Sequence, residues 1–190
     1  RTPGIITVCA VQPANSEPLQ RCLWPLLAGD VFGPGRPVRL RLCDPADLPA
    51  CRDLAAGLLD SGLAPGPGHG LLATDSLSAG LEGADFCLLR PADLAWAAVR
   101  PLCRQLRLRA GQARLVALLS GGRGDEAEKL AEFRRCGLPV SKLSECPGGR
   151  RGLADCQRLC RLLSELEARP AKLSEELPPA PAPLLLPARI

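Results

Sequence analysis

The residues best placed for chemistry lie where the first two predicted strands end. An apolar, β-branched run over residues 5–11 predicts a buried strand, and leucines at helical spacing after a turn at 12–16 predict a helix. The second predicted strand, Val38–Cys43, ends in Asp44. This order of strand, turn, helix, strand and acid is typical of a βαβ unit that holds a dinucleotide, with the acid on a ribose hydroxyl. An acid that ends a strand before Pro45 is an equally good interpretation of Asp44.

Helices and short apolar strands alternate along the chain beyond Asp44. The predicted helices are 47–61, 94–107 and one from near 125, and the predicted strands are 71–74, 86–89 and 115–119. Such alternation predicts an α/β fold, Rossmann-like and doubly wound around a mostly parallel sheet. We place this domain at residues 5–133.

The carboxy-terminal part of the chain has a different character. Apolar residues recur at helical spacing over 153–168, so we predict a helical extension at 134–169 that contains a C-terminal helix. A Pro-rich tail follows at 170–190, and its composition favours an extended conformation. The apolar stripe of the helix either covers the core of its own domain or fills the groove of a partner, and the tail is either a docking peptide or disordered.

Four blocks of sequence resemble the amino-terminal, cofactor-binding half of cytosolic-type malate dehydrogenases, in the lactate/malate dehydrogenase family. They are VFGPGRPVRLRLCD (31–44), ATD (73–75), LEGADFCLL (81–89) and RLVALLSGG (114–122). The likeness is greatest to the divergent cytosolic paralogues of that family, and it is lost past Phe133. The resemblance implies an NAD-binding type of fold in which Asp44 is the vestigial ribose-binding acid.

The same resemblance implies a degenerate phosphate loop. The loop glycines of the family fall on Pro13 and Ser16, and a small residue of the family falls on Leu19. Glycine lets such a loop turn tightly and lie against a diphosphate, whereas proline removes an N–H donor from the site. Pro18 removes another donor. We therefore expect that the chain binds no cofactor; if it binds one, we expect NAD.

Two further parts that the resemblance implies are missing from the chain. The family has a mobile loop whose arginines hold the substrate carboxylates, but Arg90 leads almost directly into a helix. Arg90 could take the place of one of those arginines, but we interpret it as a solvated surface residue. The family also needs a histidine that accepts a proton, and the single histidine, His69, lies in a Gly- and Pro-rich cluster where we expect an exposed loop residue. We predict no catalytic residue.

A glycine-rich stretch after the strand at 115–119 is a weaker candidate for a phosphate site. Gly121, Gly122 and Gly124 lie between a strand and a helix, as in phosphate-binding loops. No Lys-Ser or Lys-Thr pair follows, and Asp125 and Glu126 lie where the anion would bind. A nucleotide-binding regulator is therefore the weakest interpretation of the chain.

Composition narrows the classes of protein. The 190 residues, 46% of them hydrophobic, suffice for one core, and the net charge of +4 is not gathered in a basic block with aromatics, so we expect no nucleic acid partner. No apolar run reaches the length of a membrane span and residues 1–4 lack a signal pattern, which favours a cytoplasmic protein away from membranes. The absence of Met predicts a processed or truncated product.

The ten cysteines are predicted to be reduced and structural. None forms a C-x-x-C pair, and Cys156 and Cys160, one helical turn apart, have no second pair of ligands. Cys9, Cys43 and Cys87 lie in predicted strands, where a thiol behaves as a small apolar side chain. We therefore predict no metal site.

Two functions of different classes follow from these observations. The preferred one is a non-catalytic, malate dehydrogenase-like structural or interaction module in a larger assembly, cytoskeletal or other. Its partners would be proteins, bound through the 153–168 helix and the Pro-rich tail. The alternative is an NAD-dependent oxidoreductase of the malate dehydrogenase type, as an isoform or fragment without its catalytic half.

Overall fold

The computed structural model describes residues 4–33, 35–60, 70–109, 112–122, 124–144 and 153–168, with the backbone alone at 153–156. The predictions for His69, for most of the Gly- and Pro-rich cluster around it and for the Pro-rich tail lie outside these ranges. No helix within them is both long enough and apolar enough to span a membrane.

Six parallel strands form one sheet in the order β3-β2-β1-β4-β5-β6. The strands are β1 (Ile6–Val11), β2 (Val38–Cys43), β3 (Gly70–Thr74), β4 (Phe86–Leu89), β5 (Arg114–Leu119) and β6 (Val140–Ser144). The helices are α1 (Glu17–Ala28), α2 (Leu48–Asp60), α3 (Leu77–Leu81), α4 (Trp96–Leu108), α5 (Glu126–Arg135) and α6 (Leu153–Ala168). This confirms the predicted α/β, doubly wound fold with a helix at its carboxy-terminal end.

The first βαβ unit forms because its residues suit a central strand and a covering helix. All six residues of β1 are buried, as expected for a parallel strand covered on both faces. Ser16 caps α1 by accepting a hydrogen bond on Oγ from Leu19 N at 3.4 Å. Gly29 ends the helix with a φ of 81°, a left-handed conformation that glycine adopts without strain.

Helices cover both faces of the sheet and produce two apolar clusters. One lies between the sheet and α1, α2 and α6, and includes Leu23, Leu40 and Leu159. The other lies under α3, α4 and α5, and includes Leu102 and Phe133. The strand thiols Cys9, Cys43 and Cys87, predicted as structural, are fully buried in the second cluster. Burial raises the pKa of the Cys87 thiol, which keeps that thiol protonated at neutral pH.

The sheet continues past the predicted end of the domain at residue 133. The strand β6 lies within the predicted helical extension at 134–169 and pairs with β5, with Val140 beside Leu115. The sequence VSKLS of β6 is short and half polar, so its alternation carries too little signal to predict an edge strand. A purely helical extension was therefore wrong for residues 140–144.

The apolar stripe of α6 covers the core of its own domain. Leu159 and Leu163 are completely buried in the cluster that contains α1. Ser164 Oγ donates a hydrogen bond to Val31 O at 3.0 Å, and Arg36 forms an ion pair with Glu167. Of the two interpretations of this stripe, the structure therefore favours the cover for the domain's own core.

Candidate functional site

Three polar residues follow β1 and its two neighbours in the sheet, β2 and β4, and the winding of the sheet reverses between β1 and β4. Ligands of doubly wound folds bind in this crevice, outside the carboxyl ends of the strands. Gln12 follows β1, Asp44 follows β2 and Arg90 follows β4. All three side chains are buried, so the site is built from groups that need hydrogen-bond partners within the protein.

Gln12 closes the crevice with its own side chain. Its Nε2 donates a hydrogen bond to Asp44 Oδ1 at 3.3 Å, and its Oε1 accepts one from Ala95 N at 2.8 Å. Ala95 is the residue before α4, so a single amide connects the end of β2 with the start of the helix that follows β4. The Gln12 backbone N–H also donates to Cys43 O at 2.7 Å. We call this set of contacts the Gln12 bridge.

The backbone of Gln12 is strained, which makes the bridge a specific feature. Its φ of 51° is left-handed, and Gln12 is the one non-glycine residue with a positive φ among the described ranges. Such a conformation costs about 1–3 kcal/mol and persists only where the surroundings hold it. The three hydrogen bonds of the Gln12 bridge, each contributing about 1 kcal/mol net, are of the size needed to hold it.

Asp44 lies directly after β2, and its two carboxylate oxygens are in different environments. Its Oδ1 accepts hydrogen bonds from Ala46 N at 2.9 Å and Asp47 N at 3.2 Å, so it shapes the turn into α2. Its Oδ2 is completely buried and has no hydrogen-bond partner among the described residues. An unpaired buried acceptor is costly, and this one lies where a ribose hydroxyl would donate in a dinucleotide complex.

The turn after β1, predicted to be a degenerate phosphate loop, is compact. Residues Pro13–Asn15 form a short 3-10 helix. The side chain of Gln20 holds it, because Nε2 donates to Pro13 O at 3.0 Å and to Ala14 O at 3.1 Å. The carbonyl groups of this turn are thereby drawn toward α1, and the turn leaves no glycine at which a diphosphate could approach the backbone.

The amino end of α1 is also short of free donors. Ser16 Oγ takes the N–H of Leu19, and Pro18 has no N–H to offer. Helix amino ends bind phosphate through such N–H groups. The residues of this chain therefore match a dinucleotide at the ribose end, through Asp44, and do not match it at the diphosphate end.

Arg90 corrects one of our sequence interpretations. We predicted a solvated surface residue, but Arg90 is only 8% exposed and its Nη1 lies 2.6 Å from Asp93 Oδ2. The cause is the short 3-10 helix Pro91–Asp93, which turns the carboxylate of Asp93 back onto the strand end. The charge of Arg90 is thus neutralised inside the crevice.

The glycine-rich stretch after β5 holds an anion that belongs to the chain itself. Glu126 Oε2 accepts a hydrogen bond from Ser120 N at 2.7 Å, and Oε1 accepts one from Gly122 N at 3.3 Å. Gly121 and Gly122 have φ values of 79° and 93°, which turn their N–H groups into a small concave site. The carboxylate of Glu126 occupies that site, as the position of this acid in the sequence suggested.

A buried lysine next to the crevice is also fully engaged. Lys129 Nζ lies 2.7 Å from Asp125 Oδ1, donates to Pro91 O at 3.0 Å and lies 5.6 Å from the centre of the Trp96 ring. The hydrogen bond from Lys129 lowers the pKa of the Asp125 carboxyl. This lysine fastens α5 to the segment that follows β4.

Replacing Lys129 with methionine is expected to return the pKa of Asp125 toward its ordinary value. Because the folded pKa of Asp125 is lowered, the stability from this pair is present at neutral pH and is lost as the pH falls through that folded pKa. A carboxyl NMR titration of Lys129→Met measures the shift directly. Lys142→Met, an exposed change on β6, is the control and should leave the Asp125 titration unchanged; an unchanged titration in Lys129→Met would disprove the contact.

The cysteine and acidic side chains do not assemble a metal centre within the described part of the chain. No three His, Cys, Asp or Glu residues lie close enough there to hold an ion. Cys9, Cys43 and Cys87 are neighbours on adjacent strands. A hydrogen bond between the thiols of Cys9 and Cys43 raises the pKa of Cys9. High thiol pKa values disfavour the thiolate that metals require.

Comparison with known proteins supports the fold. No protein-family model and no curated protein matches the chain. Among solved structures, malate dehydrogenase from Naegleria fowleri matches with a TM-score of 0.53 and 16% identity, over 71% of this chain. The chain spans 44% of the length of that enzyme. This similarity establishes a shared Rossmann-like fold.

Two other solved structures match less well. One is N-acetylneuraminic acid synthetase from Leptospira borgpetersenii, at a TM-score of 0.35 and 11% identity over 88% of this chain and 62% of that one. The other is a diketoreductase, which matches with a TM-score of 0.33 and 13% identity over 85% of this chain and 71% of that one. Neither similarity is close enough to bear on the site.

Proposed function

We propose that this chain is a degenerate relative of the malate dehydrogenases that serves as a non-catalytic interaction module in a larger cytoplasmic assembly. The observation that carries this proposal is the Gln12 bridge. It joins Asp44 to Ala95 across the crevice in which a dehydrogenase of this fold holds its dinucleotide. A crevice closed by a hydrogen-bonded side chain favours a structural role over a cofactor-dependent one.

The charged groups around the crevice support the same proposal. Arg90 is paired with Asp93, Lys129 with Asp125, and the carboxylate of Glu126 fills the glycine-rich site after β5. Substrate binding uses charges that are free to receive an anion. Here these charged groups are paired within the protein, at the carboxyl edge of the sheet.

The partners in this proposal are proteins. The buried side of α6 packs on α1, so a partner that engages this helix would use its exposed side, where Arg161 and Glu165 lie. The Pro-rich tail at 170–190 is the second proposed contact, since polyproline segments dock onto aromatic-lined grooves at small entropic cost.

One observation favours the alternative, an NAD-dependent oxidoreductase of which this chain is an isoform or fragment. Asp44 Oδ2 is buried and unpartnered within the described ranges, at the position of a ribose-binding acid. A ribose hydroxyl would relieve that unsatisfied acceptor. In this alternative the catalytic groups come from a segment or subunit beyond the residues described.

Oxaloacetate-dependent oxidation of NADH by the purified chain separates the two functions. We expect no rate above the background without protein. A rate that requires oxaloacetate and disappears in Asp44→Ala would establish the oxidoreductase alternative. Asp53→Ala, an exposed change on α2, is the matched control for loss of one acid and should leave any such rate intact.

A further inference from the structure

The sheet ends on two strands, β3 and β6, whose outer edges no described strand covers. Uncovered edges are templates for pairing with another chain, and proteins usually protect them with charges or proline. The edge of β6 carries the exposed Lys142, and Arg158 Nη1 donates to Ser144 O at 3.0 Å. The strand β3, with the sequence GLLAT, has neither charge nor proline. Of the two edges, β3 is the unprotected one.

The backbone of β3 presents its outward groups at two positions. Thr74 O accepts a hydrogen bond from Asp44 N at 3.0 Å, so residue 74 directs its backbone groups toward β2. Because these directions alternate along a strand, Leu71 and Ala73 direct their N–H and C=O groups to the outer edge. No backbone hydrogen bond to these groups is found among the described residues.

The centre of the same edge is apolar and exposed. Leu72 is 51% exposed, while the side chains of Leu71 and Ala73 pack against the core under α2. The neighbour of Leu72 on β2 is Arg41, whose Nη1 donates to the carbonyl of Ala79 at 3.1 Å. The guanidinium next to Leu72 is therefore held by a backbone carbonyl of α3.

We propose that two copies of this chain associate by antiparallel pairing of their β3 strands, with the two-fold axis at Leu72. Leu71 then lies opposite Ala73 of the partner subunit, and each such pair exchanges both of its hydrogen bonds. The two Leu72 side chains meet at the position where opposing side chains come closest. Every outward backbone group gains a partner, and the sheet becomes continuous through both copies.

A second copy fits this edge because the edge is complementary to itself. A two-fold interface places the same patch on both subunits, so a charge at the central residue would face its own copy. The strand β3 has no charge to repel, and its exposed leucine is central. The association rests on the geometry of β3 alone and goes beyond the proposed function, since it holds whether or not the crevice binds a nucleotide.

Sedimentation velocity of the full chain over a concentration series tests the association. The native chain is expected to form a dimer reversibly. Leu72→Lys places two ammonium groups opposite each other and should raise the dissociation constant about tenfold or more, which is 1.4 kcal/mol. Ala73→Pro removes an outward N–H without breaking a bond to β2 and should have a similar effect. Leu59→Lys, which changes a 49% exposed leucine on α2, is the control and should dimerise normally.

Hydrogen exchange of the native chain gives a readout that needs no variant. The Leu71 and Ala73 amides should exchange more slowly at high protein concentration than at low concentration, while exposed loop amides should not change. A native chain that stays monomeric, or a dimer that persists in both Leu72→Lys and Ala73→Pro, would overturn the proposal. Equal exchange of the two amides at all concentrations would overturn it as well.

Discussion

Truncating a buried leucine of α6 is expected to cost the domain a large part of its stability. Leu163 is completely buried between α6 and α1, so Leu163→Ala leaves a cavity and should lower the free energy of unfolding by about 2–5 kcal/mol. Domains of this size are stable by only about 5–15 kcal/mol. Urea unfolding followed by circular dichroism measures the difference. Deleting residues 153–168 should therefore unfold the domain.

The control for this prediction lies on the same helix. Arg161 is exposed, and Arg161→Ala keeps a good helix former, so its free energy of unfolding should stay within about 0.5 kcal/mol of the native value. If Leu163→Ala were no more destabilising than Arg161→Ala, the apolar stripe of α6 would not be part of the core. It would then be available for the groove of a partner.

Opening the crevice is expected to create affinity for NAD. Replacing Gln12, Pro13 and Ser16 together with glycine removes the two side-chain hydrogen bonds of the Gln12 bridge, adds an N–H at residue 13 and lets the turn approach a diphosphate. Glycine at residue 12 also adopts the left-handed φ without strain. We expect NAD to bind at least about tenfold more tightly than to the native chain, a gain of about 1.4 kcal/mol. Saturation-transfer NMR detects binding in this weak range.

A second change shows whether the new affinity arises at the predicted place. Adding Asp44→Ala to the glycine variant removes the proposed ribose-binding acid and should abolish the gain. If the triple variant were folded and bound NAD no better than the native chain, closure by Gln12 would not be what keeps the dinucleotide out. Gln12→Gly alone removes only the two side-chain hydrogen bonds of the bridge, and it serves the same comparison if the triple variant proves unstable.

The fold was predictable from sequence because its strands and helices are each specified by residues that are close together in the chain. The uninterrupted apolar run of β1, the leucine spacing of α1 and the acid after β2 each reflect burial or capping within a few residues. The alternation of such segments was enough to predict a doubly wound sheet. The strand β6 was not predicted because it is short and half polar, so the periodicity of its sequence is weak.

The site was less predictable because its contacts are distant in sequence. The Gln12 side chain forms hydrogen bonds with Asp44, 32 residues away, and with Ala95, 83 residues away. No residue near Gln12 in the sequence indicates either partner. The signal that existed was a polar residue between a buried strand and a proline. Arg90 was misjudged for a related reason, since its burial depends on how the Pro91–Asp93 turn places a carboxylate.

The affinity of the native chain for NAD tests the central claim most directly. Isothermal titration calorimetry at neutral pH is expected to give no binding tighter than about 1 mM, equivalent to about 4 kcal/mol. The reason is that the Gln12 bridge crosses the crevice and the turn at Pro13–Asn15 has no glycine at which a diphosphate could approach the backbone. Binding markedly tighter than this, lost in Asp44→Ala, would show that the crevice accepts the dinucleotide as it stands and would contradict the account.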